Sequence, residues 1–307
     1  MTPGSSPRAR VRLLARSGRA SPGIFAPLVL VQAAEIEALP VTEFLTDPTK
    51  LAKGLTALHQ ALDTDAVVTA GADALLAEAA GAEVDWSRYP PAVAGHPAAA
   101  SGGSLPAGAA EAAAAHPRVE AAVEATARLA ATLPEPALVA ALTGPATLAS
   151  QLGGEWFGAA AAEGGAEVDR FFEEVGTIAL AVTKRFLEAG ANLIVLVEAA
   201  APPEASWAAW RSAVTPLANV TRFHQAAPVM VLPEDCPAVP PSVGLCAPEG
   251  VALSGPANRL RGVALPAEPK EWTDPLPEAA LVLTAGAVPG HCGFAETLAA
   301  CRRAAGR

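Results

Sequence analysis

Short apolar runs bounded by turn residues alternate with helical stretches along almost the whole chain. A short, continuous apolar run of this kind is typical of a buried strand. Eight such runs predict strands, at residues 26–32, 66–70, 137–142, 193–197, 229–232, 243–246, 251–254 and 281–285. Strands that alternate with helices, without a shift in composition that would mark a linker, predict one α/β domain.

Capping residues mark several of the intervening helices. The clearest start is Asp47 followed by Pro48, after which leucines at 51, 55, 58 and 62 lie on one helical face. A second helix covers residues 171–189 and ends at Gly190. Further helices are predicted at residues 73–81, 119–131, 205–217 and 295–305, with a short one after residue 145. Residues 86–116 are rich in Pro, Gly, Ser and Ala and predict an inserted loop.

This order of elements predicts a (β/α)8 TIM barrel over residues 24–307. A doubly wound open sheet is the rival fold, but no Gly-x-Gly-x-x-Gly follows any strand. The connections between residues 232 and 262 are short and proline-rich, so one or two outer helices should be shortened or missing there. The apolar strand surface left on that side should be covered by the N-terminal segment or by a second subunit.

Residues 1–23 carry arginines and no acidic residue. We expect a basic helix with a flexible lead, because apolar residues stand among the arginines. A transit peptide is the alternative interpretation of such a start.

Composition excludes several classes of partner. The formal net charge of −10 disfavours binding to nucleic acid, whose phosphates repel an acidic protein. The apolar runs are far shorter than the ~20 residues that a membrane-spanning helix needs. The four cysteines are scattered, which indicates reduced thiols rather than a disulfide scaffold. We therefore expect a soluble, cytoplasmic protein that acts on a small molecule.

Four segments, in their order along the chain, resemble those of the uroporphyrinogen-decarboxylase superfamily, and within it the corrinoid-linked methyltransferase branch. They are residues 141–149 (ALTGPATLA), 188–198 (EAGANLIVLVE), 253–258 (LSGPAN) and 283–286 (LTAG). The leading segment at residues 7–15 (PRARVRLLA) also resembles the first helix of these proteins. The resemblance implies a barrel whose site lies at the C-terminal mouth.

The departures from the family pattern bear on function. Decarboxylases of the family carry paired arginines after strand one, where residues 31–37 (VQAAEIE) hold none. The methyltransferase branch binds zinc with a His-x-Cys at strand five and a Gly-Cys at strand eight. Leu232, Glu234 and Ala287 occupy those places here. The resemblance therefore implies degenerate active-site motifs, and we predict no cofactor and no metal at the usual position.

Glu198 and Asp73 are the candidate catalytic residues. Both follow predicted strands, at the end of the barrel where such enzymes place their chemistry. Burial in an apolar mouth should raise the pKa of Glu198 and allow it to exchange protons near neutral pH. The structural alternative for Glu198 is a cap on a neighbouring helix or a pair with an arginine. For Asp73 the alignment slips by one residue and can place Ala72 there instead.

The turn Thr143-Gly144-Pro145 is a candidate substrate-binding segment, because free amides at a helix start can hold an anion. Its alternative is a tight turn that merely needs glycine. Gln32 after strand one, and Glu234 and Asp235 after strand five, complete the predicted substrate-binding set. Trp207 and Trp210 lie on one helix face, which is more typical of packing or of an interface.

A displaced metal site is a further alternative. Its candidate ligands are Glu234, Cys236, His291 and Cys292. Two functions follow from these residues. The first is a superfamily enzyme of the decarboxylase or methyltransferase type that acts at the mouth. The second is a non-catalytic barrel that binds a metabolite or a protein partner, with a homodimer as one form of the latter.

Overall fold

The computed structural model describes residues 6–99, 101–256 and 259–304. Eight strands form one parallel sheet in the order β1-β10-β9-β8-β7-β6-β5-β2. These strands are β1 Ile24–Phe25, β2 Ala66–Ala70, β5 Ala137–Thr143, β6 Leu193–Val197, β7 Ala227–Val231, β8 Gly244–Ala247, β9 Arg261–Leu265 and β10 Leu281–Thr284. The two short strands β3 Val84–Asp85 and β4 Ala92–Val93 pair separately and antiparallel. The sheet is a nearly closed barrel, as the TIM-barrel prediction requires.

The helices follow the strands as a TIM barrel demands, except at its last connections. They are α1 Pro7–Ser17, α2 Gln32–Ile36, α3 Val41–Phe44, α4 Pro48–Leu62, α5 Leu75–Ala79, α6 Ala109–Ala114, α7 Pro117–Thr132, α8 Pro145–Glu163, α9 Ala166–Glu188, α10 Trp207–Phe223 and α11 Phe294–Ala304. Helix α8 is longer than the short helix predicted, and its backbone breaks at Gly154, whose φ is 54°. The loop predicted at residues 86–116 contains β4 and α6.

Asp65 joins the two end strands of the sheet. Its backbone N–H donates to the Phe25 carbonyl at 3.1 Å, and its side chain accepts from the Phe25 N–H at 2.9 Å. Arg10 of α1 forms an ion pair with the same carboxylate. Val11 and Leu14 of α1 pack with the inward-facing strand residues. Helix α1 therefore forms the floor of the barrel.

The first strand differs from its prediction at residues 26–32. Only Ile24–Phe25 is a strand, and α2 begins at Gln32. Pro27 lacks the N–H that a ladder needs. The next amide, of Leu28, donates to the Thr284 side chain at 3.0 Å instead of to a strand carbonyl.

The seventh strand was predicted at the wrong place. Residues 251–254 form no strand, and β9 lies at Arg261–Leu265. Gly262 weakened the strand signal, yet a Cβ there would come within 2.4 Å of Cys246 Sγ. The strand therefore needs the glycine that made it hard to recognise. The end of the LSGPAN segment, residues 257 and 258, lies outside the described residues.

The predicted loss of outer helices is confirmed. Within the described residues, no α-helix lies between β7 and β8 or between β8 and β9. The β9–β10 connection contains one short turn, Pro269–Glu271. Apolar residues of this region are themselves buried, among them Cys236, Val239 and Val243. They belong to the same cluster as the buried faces of the outer helices. The loop's own residues thus cover part of this side, and the N-terminal helix borders it, since Leu14 and Arg16 line one cavity together with Pro241 and Val243.

The side chain of Arg259 holds this helix-free region together. Arg259 is 6% exposed, and it donates to the carbonyls of Val239 at 2.6 Å, Pro240 at 2.8 Å and Val243 at 3.1 Å. It also reaches the Ser254 carbonyl at 3.1 Å. Carbonyls that a helix would have paired are paired by one guanidinium, whose rigid fork suits several acceptors.

Candidate functional site

A cavity of about 370 Å³ opens at the C-terminal ends of the strands. The segments that follow β2, β5, β6, β7, β8 and β10 contribute to its wall, which is mostly alanine, valine, leucine and proline. The polar residues that line it are Asp73, Thr143, Thr147, Gln151 and Glu198. We call this cavity the mouth pocket. It brings together the two predicted catalytic residues.

Glu198 follows β6 and is buried, at 2% exposure. Its Oε1 accepts from the Ala146 N–H at 3.0 Å and from the Trp210 Nε1–H at 2.9 Å. Its Oε2 accepts from the N–H and the hydroxyl of Thr147, each at 2.7 Å. All four of these hydrogen-bond donors to the Glu198 carboxylate belong to the protein. Burial raises the pKa of Glu198 above its usual range, although the four donors lower it in part.

The carboxylate of Glu198 occupies the N-terminus of α8. The first turn of a helix has free N–H groups that attract an anion. The free amides at the start of α8 belong to Ala146 and Thr147, and Glu198 occupies them, which is the helix cap described above as the structural alternative for Glu198. Gly144 permits this approach, because a Cβ there would lie 2.3 Å from Glu198 Cδ. Pro145 is the first residue of the helix, where its missing N–H costs nothing.

Asp73 lines the same pocket and is also held by the protein. Its Oδ1 accepts from the Leu75 N–H at 2.7 Å, and its Oδ2 accepts from Arg118 Nη2 at 2.9 Å. Arg118 also pairs with Glu78 at 2.6 Å. Burial lowers the pKa of Arg118, but Asp73 and Glu78 together raise it above its ordinary value. Thr143 donates its hydroxyl to the Asp73 carbonyl at 2.6 Å, which ties the two strand ends together.

Five of the predicted substrate-binding residues do not line the mouth pocket. Gly144 and Pro145 form the turn that opens α8. Gln32 is buried and donates to the carbonyls of Pro289 and Cys292, each at 3.0 Å, so it anchors the loop after β10. Glu234 is exposed to solvent. Asp235 accepts from the Ser254 N–H at 2.9 Å. The chain turns away from the pocket after Pro233, which places both acids beyond its wall.

Residues that sequence reasoning missed complete the site. Thr147 and Gln151 are four apart on α8, a spacing that places both on one helical face and could have indicated them. The side-chain oxygen of Gln151 is buried without a hydrogen-bond partner. Trp210 was interpreted as a packing residue, and its hydrogen bond to Glu198 has no sequence signal.

The mouth pocket does not fit the zinc ion of the methyltransferase branch. Of the three corresponding positions, Leu232 lines the pocket, whereas Glu234 and Ala287 do not. Among the described residues, none that lines the pocket carries an imidazole or a thiol. Zinc in proteins needs such ligands.

The other predicted metal ligands divide into two groups. His291 and Cys292 lie close to Glu268, with ligand atoms within 4.8 Å of one another. Glu234 and Cys236 are not part of that group.

Among the described residues, no helix is both long and apolar enough to cross a membrane.

Comparison with known proteins places this geometry in a family. No curated protein sequence matched the chain. Among solved structures, a methyltransferase from Methanosarcina mazei is similar in fold, with a TM-score of 0.67 and 18% sequence identity over 97% of this chain and 98% of that one. The pattern of the family described as uroporphyrinogen decarboxylase (URO-D) matches residues 26–231, more than half of the chain. With its barrel and the ordered segments described above, this chain belongs to the URO-D family.

Proposed function

We propose that the protein is a URO-D-type enzyme that acts on a small molecule in the mouth pocket, and that this molecule carries no net negative charge. Family membership supports enzymatic activity in general terms. The observation that carries the proposal is the lining of the pocket, whose described residues include two acids and no lysine, arginine or histidine.

A carboxylated substrate would find no cationic partner among the described residues that line this pocket. Moving a carboxylate out of water is costly unless a cation or several donors receive it. The donors at the start of α8 already hold Glu198. Arg118 is paired with Asp73 and Glu78 and does not line the cavity. Decarboxylation of a polycarboxylate is therefore disfavoured, whereas a neutral or cationic molecule can use Gln151 and the apolar wall.

A blocking substitution tests the location of the site. Ala285 is exposed and lines the pocket, so Ala285→Trp should fill the mouth without disturbing the core. Ala131→Trp, at an exposed position of α7, is the matched control. Ligand-observed NMR with a panel of small neutral and cationic molecules should detect binding to the parent and to the control, and none to Ala285→Trp. Equal binding by all three proteins would refute the site.

A second function, a non-catalytic binding barrel, is favoured by one specific observation. All four carboxylate oxygens of Asp73 and Glu198 accept hydrogen bonds from protein donors. Calorimetry of a bound panel member in two buffers of different ionisation enthalpy separates the two functions. An enzyme that uses Glu198 as a proton carrier should take up or release a proton on binding, and folded Glu198→Gln should not. Identical proton counts in both proteins would favour the binding barrel.

A further inference from the structure

Three potential metal ligands converge outside the mouth pocket. They are Glu268, in the connection after β9, and His291 and Cys292, in the connection after β10. The Cys292 thiol contacts Glu268 Oε2 at 3.0 Å, and His291 Nε2 lies 3.1 Å from Glu268 Oε1. One ligand atom from each residue lies within 4.8 Å of the other two.

These separations match the space around one metal ion. Zinc binds Cys sulfur at about 2.3 Å, His nitrogen at about 2.0–2.1 Å and carboxylate oxygen at about 2.0–2.2 Å. In a tetrahedron these bond lengths place the ligand atoms roughly 3.3–3.8 Å apart. The two contacts to Glu268, at 3.0 and 3.1 Å, are shorter than this range. The distance between the Cys292 sulfur and the His291 nitrogen is at most 4.8 Å and can therefore exceed the range. Shifts of less than about 1 Å therefore bring all three atoms onto one ion.

The surrounding chain holds two of these ligands in place. The Gln32 amide donates to the carbonyls of Pro289 and Cys292, on either side of His291, and its own oxygen is buried without a partner. Glu35 accepts from the Phe294 N–H at 3.0 Å and so fixes the start of α11 just after Cys292. These contacts fix the backbone that carries His291 and Cys292.

The exposures indicate a site with an open side. Cys292 is buried, the Glu268 side chain is 26% exposed and the His291 side chain is 70% exposed. Three protein ligands with solvent access leave a coordination position for water or another small ligand. Lys270 lies 3.8 Å from Glu268 and is 65% exposed, so it can move into solvent when a cation binds.

We propose that Glu268, His291 and Cys292 bind one divalent transition-metal ion of the zinc class. The mixed oxygen, nitrogen and sulfur ligands suit zinc or cobalt and disfavour magnesium and calcium, which prefer oxygen alone. Two of its ligands, His291 and Cys292, belong to the displaced metal site that the sequence offered as an alternative. Glu268 is the third ligand. It is independent of the function proposed for the mouth pocket, because none of its residues lines that pocket.

The test uses the full-length protein, stripped with a chelator and then dialysed against zinc. Mass spectrometry of metals should find one zinc per chain, and cobalt(II) should give a thiolate charge-transfer band. Cys292→Ala should abolish the band and weaken zinc binding at least about tenfold. His291→Ala and Glu268→Gln should also weaken it. Both change residues that are partly exposed, so they test the site even if Cys292→Ala fails to fold.

Matched controls come from the same chain. Cys236→Ala removes another buried cysteine, and His224→Ala removes another exposed histidine. Both controls should keep the zinc content, and the cobalt band should survive in each. The proposal is overturned if the parent binds no stoichiometric zinc, or if His291→Ala and Glu268→Gln bind zinc as tightly as the controls.

Discussion

At the scale of single residues, the mouth of the barrel depends on a pair that is remote in sequence. Glu198 needs the amides of α8, and Gly144 must lack a side chain for the carboxylate to reach them. The sequence places Glu198 at a strand end and Gly144 in a turn. It contains no signal that joins them, because the hydrogen bonds span more than 50 residues and depend on the register of β5 against β6.

Gly144→Ala should destabilise the protein. A Cβ at that position lies 2.3 Å from Glu198 Cδ, so the carboxylate must move away from its donors. Crowding of this kind costs about 1–3 kcal/mol. Gly158→Ala in the same helix has open space around its Cβ and should be neutral or slightly stabilising. Urea unfolding of the three proteins measures both changes, and equal midpoints for the two variants would contradict the close approach.

The pH dependence of stability tests the burial of Glu198. Its pKa in the folded protein is raised above the ordinary value of 4.5, with desolvation as the main cause. A raised folded pKa gives stability that is fully present below pH 4.5 and is lost as pH rises through the folded pKa. Relative to Glu198→Gln, which cannot titrate, the parent should therefore lose unfolding free energy as pH rises through this interval. A parent advantage that grows with pH would show a lowered pKa instead.

At the scale of elements, apolar runs predicted the strands well where no backbone exception intervened. Strands β2 and β6 have the predicted bounds. The errors at β1 and β9 have physical causes in Pro27, which cannot donate to a ladder, and in Gly262, whose missing side chain makes room for Cys246. Short, proline-rich connections predicted the loss of outer helices. Nothing in the sequence predicted that Arg259 would bind the carbonyls of that region.

Arg259→Met should destabilise the helix-free side of the barrel. It removes one donor from each of four carbonyls, of which that of Pro240 keeps the Val243 N–H at 3.0 Å. Each buried group that is left unpaired costs about 1–3 kcal/mol before relaxation. Arg259→Lys should recover only part of the loss, because a single ammonium cannot span four acceptors. Arg261→Met, at an exposed position two residues away, is the control. Hydrogen exchange should quicken in β8 and its flanking loops for Arg259→Met alone, and unchanged exchange there would contradict this role.

At the scale of the whole molecule, the basic N-terminal helix is the floor of the barrel. Leu14 packs among the inward-facing strand residues, and its neighbour Leu13 is 50% exposed. Leu14→Ala should therefore cost about 2–5 kcal/mol, whereas Leu13→Ala should change the free energy of unfolding by less than about 0.5 kcal/mol. Chemical denaturation of both variants measures these changes. If α1 were only loosely attached to the barrel, both substitutions would lower the free energy of unfolding by equal and small amounts.

The barrel as a whole was predictable because it depends on the order of strands, helices and family-like segments along the chain. Changes in single residues do not alter that order. The composition of the mouth was only partly predictable. Asp73, Thr143 and Glu198 were recognised as strand-end residues, and all three line the pocket. Gln32, Glu234 and Asp235 were expected there too, but a residue that follows a strand need not face the barrel axis. The direction that the chain takes after the strand decides whether such a residue lines the pocket. The sequence near the strand does not encode that direction.

The central claim is that the mouth pocket receives a molecule without net negative charge. The most direct measurement is the affinity of a neutral amide that binds the pocket, compared by calorimetry with that of its isosteric carboxylate. With no cation on the wall, the carboxylate should bind at least about tenfold more weakly, equivalent to about 1.4 kcal/mol. A carboxylate that binds as tightly as the amide, at a site blocked by Ala285→Trp, would contradict the claim.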